Sequence, residues 1–97
     1  MKKDNVLRGK ILDLLNKVYP EGIDQKTIVS ILYSYHKLDD INSSLEYLTD
    51  KKYILMKENQ DPIIKHEKFK WYKLTPHGID LIEGNINDDP GILIQRG

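Results

Sequence analysis

Apolar residues recur at helical spacing in four stretches of this chain and lie in two short strand-like runs between the third and fourth. Leu7, Ile11, Leu14, Leu15 and Val18 form the first stripe, with Lys10, Asp13, Asn16 and Lys17 on the other side. Asp4 or Asn5 is suited to cap this helix, and Pro20 stops it by forcing the residue before it out of helical geometry. Tyr19-Pro20-Glu21-Gly22 is a turn, and Ile23 a strand stub of one or two residues. Asp24 is a good N-cap for a second helix, with Ile23 and Ile28 at the spacing of a hydrophobic staple. Its expected buried stripe is Ile28, Ile31, Leu32 and Tyr35.

The third helix is expected over about Asp39 to Lys51, capped by Asp39 or Asp40, both favourable at the positive end of its dipole. Ile41, Leu45 and Leu48 should point inward, and Asn42, Ser43, Glu46, Tyr47 and Asp50 outward. Two strands follow, Tyr53–Glu58 and Phe69–Leu74. Asn59-Gln60-Asp61-Pro62 signals the turn, and the segment from Ile63 to Lys68 either extends the loop or lengthens the second strand. Alternation places Tyr72 and Leu74 on one face, expected inward, and Trp71 and Lys73 on the other. A lone tryptophan is more often core than surface, so Trp71 is expected in the core, with an exposed stacking position as the alternative. Thr75 caps a fourth helix, Pro76 takes its first position, Leu74 and Ile79 form a second staple, and Gly84 ends it. Ile79, Leu81 and Ile82 supply its apolar side.

The pattern therefore gives one domain over residues 1–84 and a C-terminal tail over 85–97. The tail turns at Asp89-Pro90-Gly91 and then shows the apolar run Ile92-Leu93-Ile94. Three arrangements are open for it: a frayed end, a groove between the first and fourth helices, or a surface of a second protomer. The fold class is mainly α with a small β-hairpin.

The order helix, hairpin, helix carries a resemblance. Leu45-Glu46-Tyr47-Leu48-Thr49-Asp50-Lys51-Lys52-Tyr53-Ile54 resembles the helix-to-strand passage of winged helix-turn-helix regulators. Trp71-Tyr72-Lys73-Leu74-Thr75-Pro76-His77-Gly78 resembles the segment closing the wing in MarR- and PadR-like proteins. The chain also resembles small winged-helix proteins of Mu-like phages. The likeness spans about Val6 to Glu83. It implies a three-helix core with a wing and a C-terminal fourth helix, and a small transcriptional regulator acting as a dimer on double-stranded DNA. The third helix would enter the major groove through Asn42, Ser43, Glu46 and Tyr47, and the wing would reach the backbone through Lys65, His66, Lys68 and Lys70.

Charge complicates that implication. The 97-residue chain has 15 basic and 15 acidic side chains and is formally neutral. Asp39 to Lys52 holds four acids against two lysines, with no arginine, the commonest reader of guanine. Lys57 to Lys73 holds five lysines against three acids. DNA affinity rests largely on phosphate neutralisation, for which the helix is poorly equipped and the wing moderately so. The alternative is a winged helix used for protein–protein contact in a larger assembly, its acidic helix face meeting a basic partner.

The remaining chemistry is sparse. Cysteine is absent, so no disulfide or thiolate zinc site is available. His36, His66 and His77 are dispersed, without metal-ligand spacing. No serine lies in a nucleophile elbow, the carboxylate pairs read as caps and turns, and the glycines make no phosphate cradle. No catalytic residue, metal or cofactor is expected, nor a membrane span or signal peptide, and the expected compartment is the cytoplasm.

Overall fold

A computed structural model describes residues 4–60, 63 and 68–95. The fold is α+β: α1 (Asn5–Val18), β1 (Gly22–Asp24), α2 (Gln25–Leu32), α3 (Leu38–Asp50), β2 (Ile54–Gln60), β3 (Lys68–Leu74) and α4 (Pro76–Glu83). The strands form one antiparallel sheet in the order β1-β3-β2. β3 pairs with β2 from Ile54↔Leu74 to Gln60↔Lys68, and with β1 at Gly22↔Lys73, Ile23↔Tyr72 and Asp24↔Trp71. The expected stub at Ile23 is thus a three-residue edge strand, which ties the start of α2 to the sheet.

The core gathers Leu7, Ile11, Leu12 and Leu15 of α1, Ile28 and Leu32 of α2, Ile41, Leu45 and Leu48 of α3, Tyr53, Ile54, Tyr72 and Leu74 from the sheet, and Leu81 of α4. Four residues expected to be buried are placed differently. Leu14 is only half-buried, while Leu12 is fully buried. The C-terminal segment lies along α1 at Asn5, Arg8 and Gly9, so the covered arc of this helix turns toward that side. Ile31 and Tyr35 are 47% and 82% exposed. Helix α2 ends at Leu32, so Tyr35 lies beyond its stripe, and half-buried Val29 rather than Ile31 flanks Ile28 and Leu32. Trp71 is half-buried on the outer face of the sheet, because alternation commits Tyr72 and Leu74 to the core.

Local signals explain most element ends. Asp24 accepts from Thr27 N at 3.0 Å and Thr75 from Gly78 N at 3.1 Å, as N-caps do. The acids of α3 do not cap it. Lys37 is extended (φ −72°, ψ 148°) and occupies the N-cap, leaving Asp39 and Asp40 in the first turn. Asp4 holds the N-cap position of α1 without a side-chain bond. Helix α3 closes with Tyr53 N donating to Leu48 O and Lys52 N to Thr49 O, the paired bonds of a Schellman motif, with Lys52 at φ 70°. Helix α4 closes the same way at Gly84, φ 79°. Because Tyr53 belongs to that closing turn, β2 starts at Ile54.

The segment after Gly84 is docked on its own domain. Ile92 is 6% exposed and joins the core, and Leu93 N donates to Asn5 O at 3.0 Å. A Cβ at position 9 would stand 1.9 Å from Leu93 O, so only glycine lets this backbone lie against α1. Of the three arrangements open from the sequence, docking on the chain's own domain is the one found, and the contacts run to Asn5, Arg8 and Gly9 of α1 and, through Asp89, to Tyr47 and Lys51 at the end of α3. Among the described residues, no helix is long and apolar enough to cross a membrane.

Candidate functional site

Helix α3 is amphipathic, and its polar side is uncovered. Ile41, Ser44, Leu45 and Leu48 face the core, while Asp39, Asn42, Ser43, Glu46 and Asp50 are exposed. Of the residues expected to act from this face, Asn42, Ser43 and Glu46 are available at the surface. Asn42 Oδ1 accepts from Gln25 Nε2 at 2.9 Å, which links the face to the start of α2. The helix carries Asp39, Asp40, Glu46 and Asp50 and neither lysine nor arginine.

Tyr47 does not point outward as expected. Its hydroxyl donates to Asp89 Oδ1 at 3.0 Å, and its ring lies under the Arg8 guanidinium at 3.8 Å. The reason is tertiary. Residue 47 borders the buried stripe at Ile41, Ser44 and Leu48, and the C-terminal segment turns that border into an interior.

Asp89 is the polar centre of that interior. It is 8% exposed and accepts from Tyr47, from Tyr53 at 3.0 Å and from Gly91 N at 2.8 Å, with Lys51 Nζ 3.7 Å away. Arg8 Nη1 donates to Gly91 O at 3.0 Å, closing the ring of contacts. Burial opposes ionisation of Asp89. The Gly91 amide, the two tyrosine hydroxyls and Lys51 outweigh it, and the carboxyl sits below its ordinary value. Burial, and then the bond to this carboxylate, push Tyr53 up to about 12 and Tyr47 upward as well. This cluster was not legible as a site. Asp89-Pro90-Gly91 reads as a turn, and nothing local names its tyrosine partners 36 and 42 residues away. Its arrangement, with both carboxylate oxygens accepting hydrogen bonds from within the chain, fastens the C-terminal segment.

The hairpin is sorted by face. Glu58 and Lys70 are cross-strand partners on one side, where Lys68 Nζ also reaches Glu58 at 3.3 Å. Lys68 and Lys70 are both exposed at the surface, and the first is paired with Glu58. Lys65 and His66 lie outside the described residues. The other side carries Leu55, Lys57, Asn59, Phe69, Trp71 and Lys73.

A shallow apolar groove between α2 and α3 adds a feature absent from the sequence reading. Val29, Tyr33 and Leu38 line it beside Gln25 and Asn42, with Tyr33 66% and Leu38 46% exposed. Among the described residues no three His, Asp or Glu side chains gather as a metal site would require. Compared with protein-family models, curated proteins and solved structures, the chain finds no match.

Proposed function

We propose that this chain is a winged-helix module that binds double-stranded DNA as a small regulator. In this reading α3 enters the major groove, with Asn42, Ser43 and Glu46 toward base edges. The β2–β3 hairpin is the wing, with Lys68 and Lys70 toward phosphates, and Lys65 and His66 carry the same expectation. Two modules acting together would read two half-sites. One observation carries the proposal: in the order α1-β1-α2-α3-β2-β3-α4, the polar side of α3 stands uncovered and is followed directly by a lysine-bearing antiparallel hairpin. Tyr47 is left out of the contact set because its hydroxyl is held by Asp89.

A second reading is contact with a protein in a larger assembly. The specific observation favouring it is the acidity of α3 together with the exposed Tyr33, Tyr35 and Leu38 alongside. Acidic side chains repel phosphate, whereas aromatic surface is enriched at protein interfaces.

A salt titration of binding to mixed-sequence duplex DNA separates the two. Duplex binding with a Kd of roughly 10⁻⁴–10⁻⁶ M at physiological salt, weakening as salt rises, is the expected result. The double variant Lys68→Ala, Lys70→Ala should reduce the salt slope. A duplex that fails to bind even at low salt would overturn the DNA reading in favour of protein contact.

A further inference from the structure

The outer face of the sheet combines two features that duplex binding by α3 does not use. Cross-strand register and alternation bring Leu55 opposite Lys73, Lys57 opposite Trp71, and Asn59 opposite Phe69, all on the side away from the core. Leu55 is 43% and Phe69 39% exposed, and Trp71 is half-buried. Trp71 is held in place from below. A Cβ at position 22 would lie 2.4 Å from its Cε3, so bare Gly22 of the neighbouring strand lets the indole settle on backbone. Lys57 Nζ stands 5.5 Å from the centre of the same ring.

Charge is sorted in the same way. The acid of the described hairpin, Glu58, faces the opposite side with Lys68 and Lys70. On the aromatic side the charged residues of β2 and β3 are Lys57 and Lys73. Asp24 of β1 lies across from Trp71, but its carboxylate is committed to Thr27, accepting from N at 3.0 Å and from Oγ1 at 2.6 Å. The face therefore offers two aromatic side chains, two residues apart on one strand with their Cα atoms about 7 Å apart, flanked by two cations.

We propose that this face is a stacking platform for single-stranded nucleic acid, with Phe69 and Trp71 under successive bases and Lys57 and Lys73 toward the phosphates. The ligand class follows from what the surface lacks as well as what it has. An anionic ligand is favoured by the two lysines, and a flat π-faced one by the rings. A single strand supplies both together, whereas a duplex keeps its base faces stacked away. Stacking of this kind tolerates any base, so a preference for sequence is not expected. The platform does not depend on α3, and its failure leaves the duplex reading untouched.

Trp71 is the chain's one tryptophan, so emission excited selectively at tryptophan, beyond the absorption of the six tyrosines, reports on this face alone. Titrating the full chain with oligothymidylate at low salt should quench that emission, and oligouridylate run in parallel assigns the sugar. Labelled-oligonucleotide anisotropy gives the affinity of each variant. Phe69→Ala should weaken binding at least about fivefold. The double variant Lys57→Ala, Lys73→Ala should lower the magnitude of the logarithmic salt slope by about 1.4, without removing a ring. Asn42→Ala on α3 should leave oligothymidylate binding unchanged. Emission that neither oligonucleotide alters, or binding that both the Phe69 and the double-lysine variants leave intact, would overturn the proposal. So would emission that shifts with protein concentration alone, since that would mean a second copy covers the face.

Discussion

Two buried polar residues illustrate opposite uses of the interior. Ser44 is fully buried on the core side of α3, and its hydroxyl finds no hydrogen-bond partner among the described residues. A buried, unpaired hydroxyl is destabilising, and serine is a weaker helix former than alanine. Ser44→Ala is therefore expected to raise stability by about 1 kcal/mol, measured as a higher urea midpoint at unchanged slope. Asp89 is the reverse case, a buried carboxylate with every contact made. Because its pKa is lowered in the folded state, its contribution is present above the ordinary carboxyl range and is lost as pH falls through the folded value. Tyr53 has a raised pKa, so its contribution is present below 10 and is lost as pH climbs toward about 12. Asp89→Asn should cost about 1–3 kcal/mol at neutral pH and flatten the acid side of the stability profile. Tyr53→Phe should flatten the alkaline side. Unfolding curves followed across pH for the three proteins check both signs.

Element ends and the docked segment decide how these residues meet. The two Schellman closures are a natural comparison, since one uses Gly84 and the other places Lys52 in the left-handed region. A non-glycine side chain there costs about 1–2 kcal/mol, so Lys52→Gly should stabilise the protein by about 1 kcal/mol after the loss of chain entropy is counted. A chemical denaturation midpoint that falls would contradict this. The segment after α4 behaves as part of the core. Truncation after Asn87 removes Ile92 and Asp89 together and uncovers Gly9, so it should lower stability by at least about 2 kcal/mol. It should also free Tyr47, whose hydroxyl would then titrate near its ordinary value. A truncated chain with an unchanged melting temperature would show that the docking contributes nothing.

At the scale of the molecule, a formally neutral chain separates its charges in space. Acids gather on the polar side of α3, and lysines on both sides of the hairpin. Substituting Asp39 and Asp50 by Asn should strengthen duplex binding in the DNA reading, because two repulsive charges leave the polar side of α3. In the protein-contact reading the same change weakens capture of a basic partner. DNA affinity and capture of a basic partner, both measured at one fixed salt concentration, distinguish them.

Local chemistry determined much of this structure. Asp24 and Thr75 cap their helices, Pro76 and Gly84 bound the fourth, and the alternation around Tyr72 and Leu74 sets which side of the hairpin is buried. The spacing Ile41, Ser44, Leu48 also marks Ser44 as inward, a signal obscured because serine is ordinarily a surface residue. These features depend on neighbours within about four positions, so they can be read along the chain. Three positions departed from the pattern because their surroundings come from distant segments. Tyr47 is turned away from the polar side of α3 by Asp89, and Trp71 rests on Gly22 rather than in the core. Leu12 is buried on the side of α1 toward which the C-terminal segment shifts the covered arc. Periodicity tells which side of an element is apolar. Only the tertiary structure decides what covers its borders, because burial belongs to pairs of surfaces and not to one helix or strand alone.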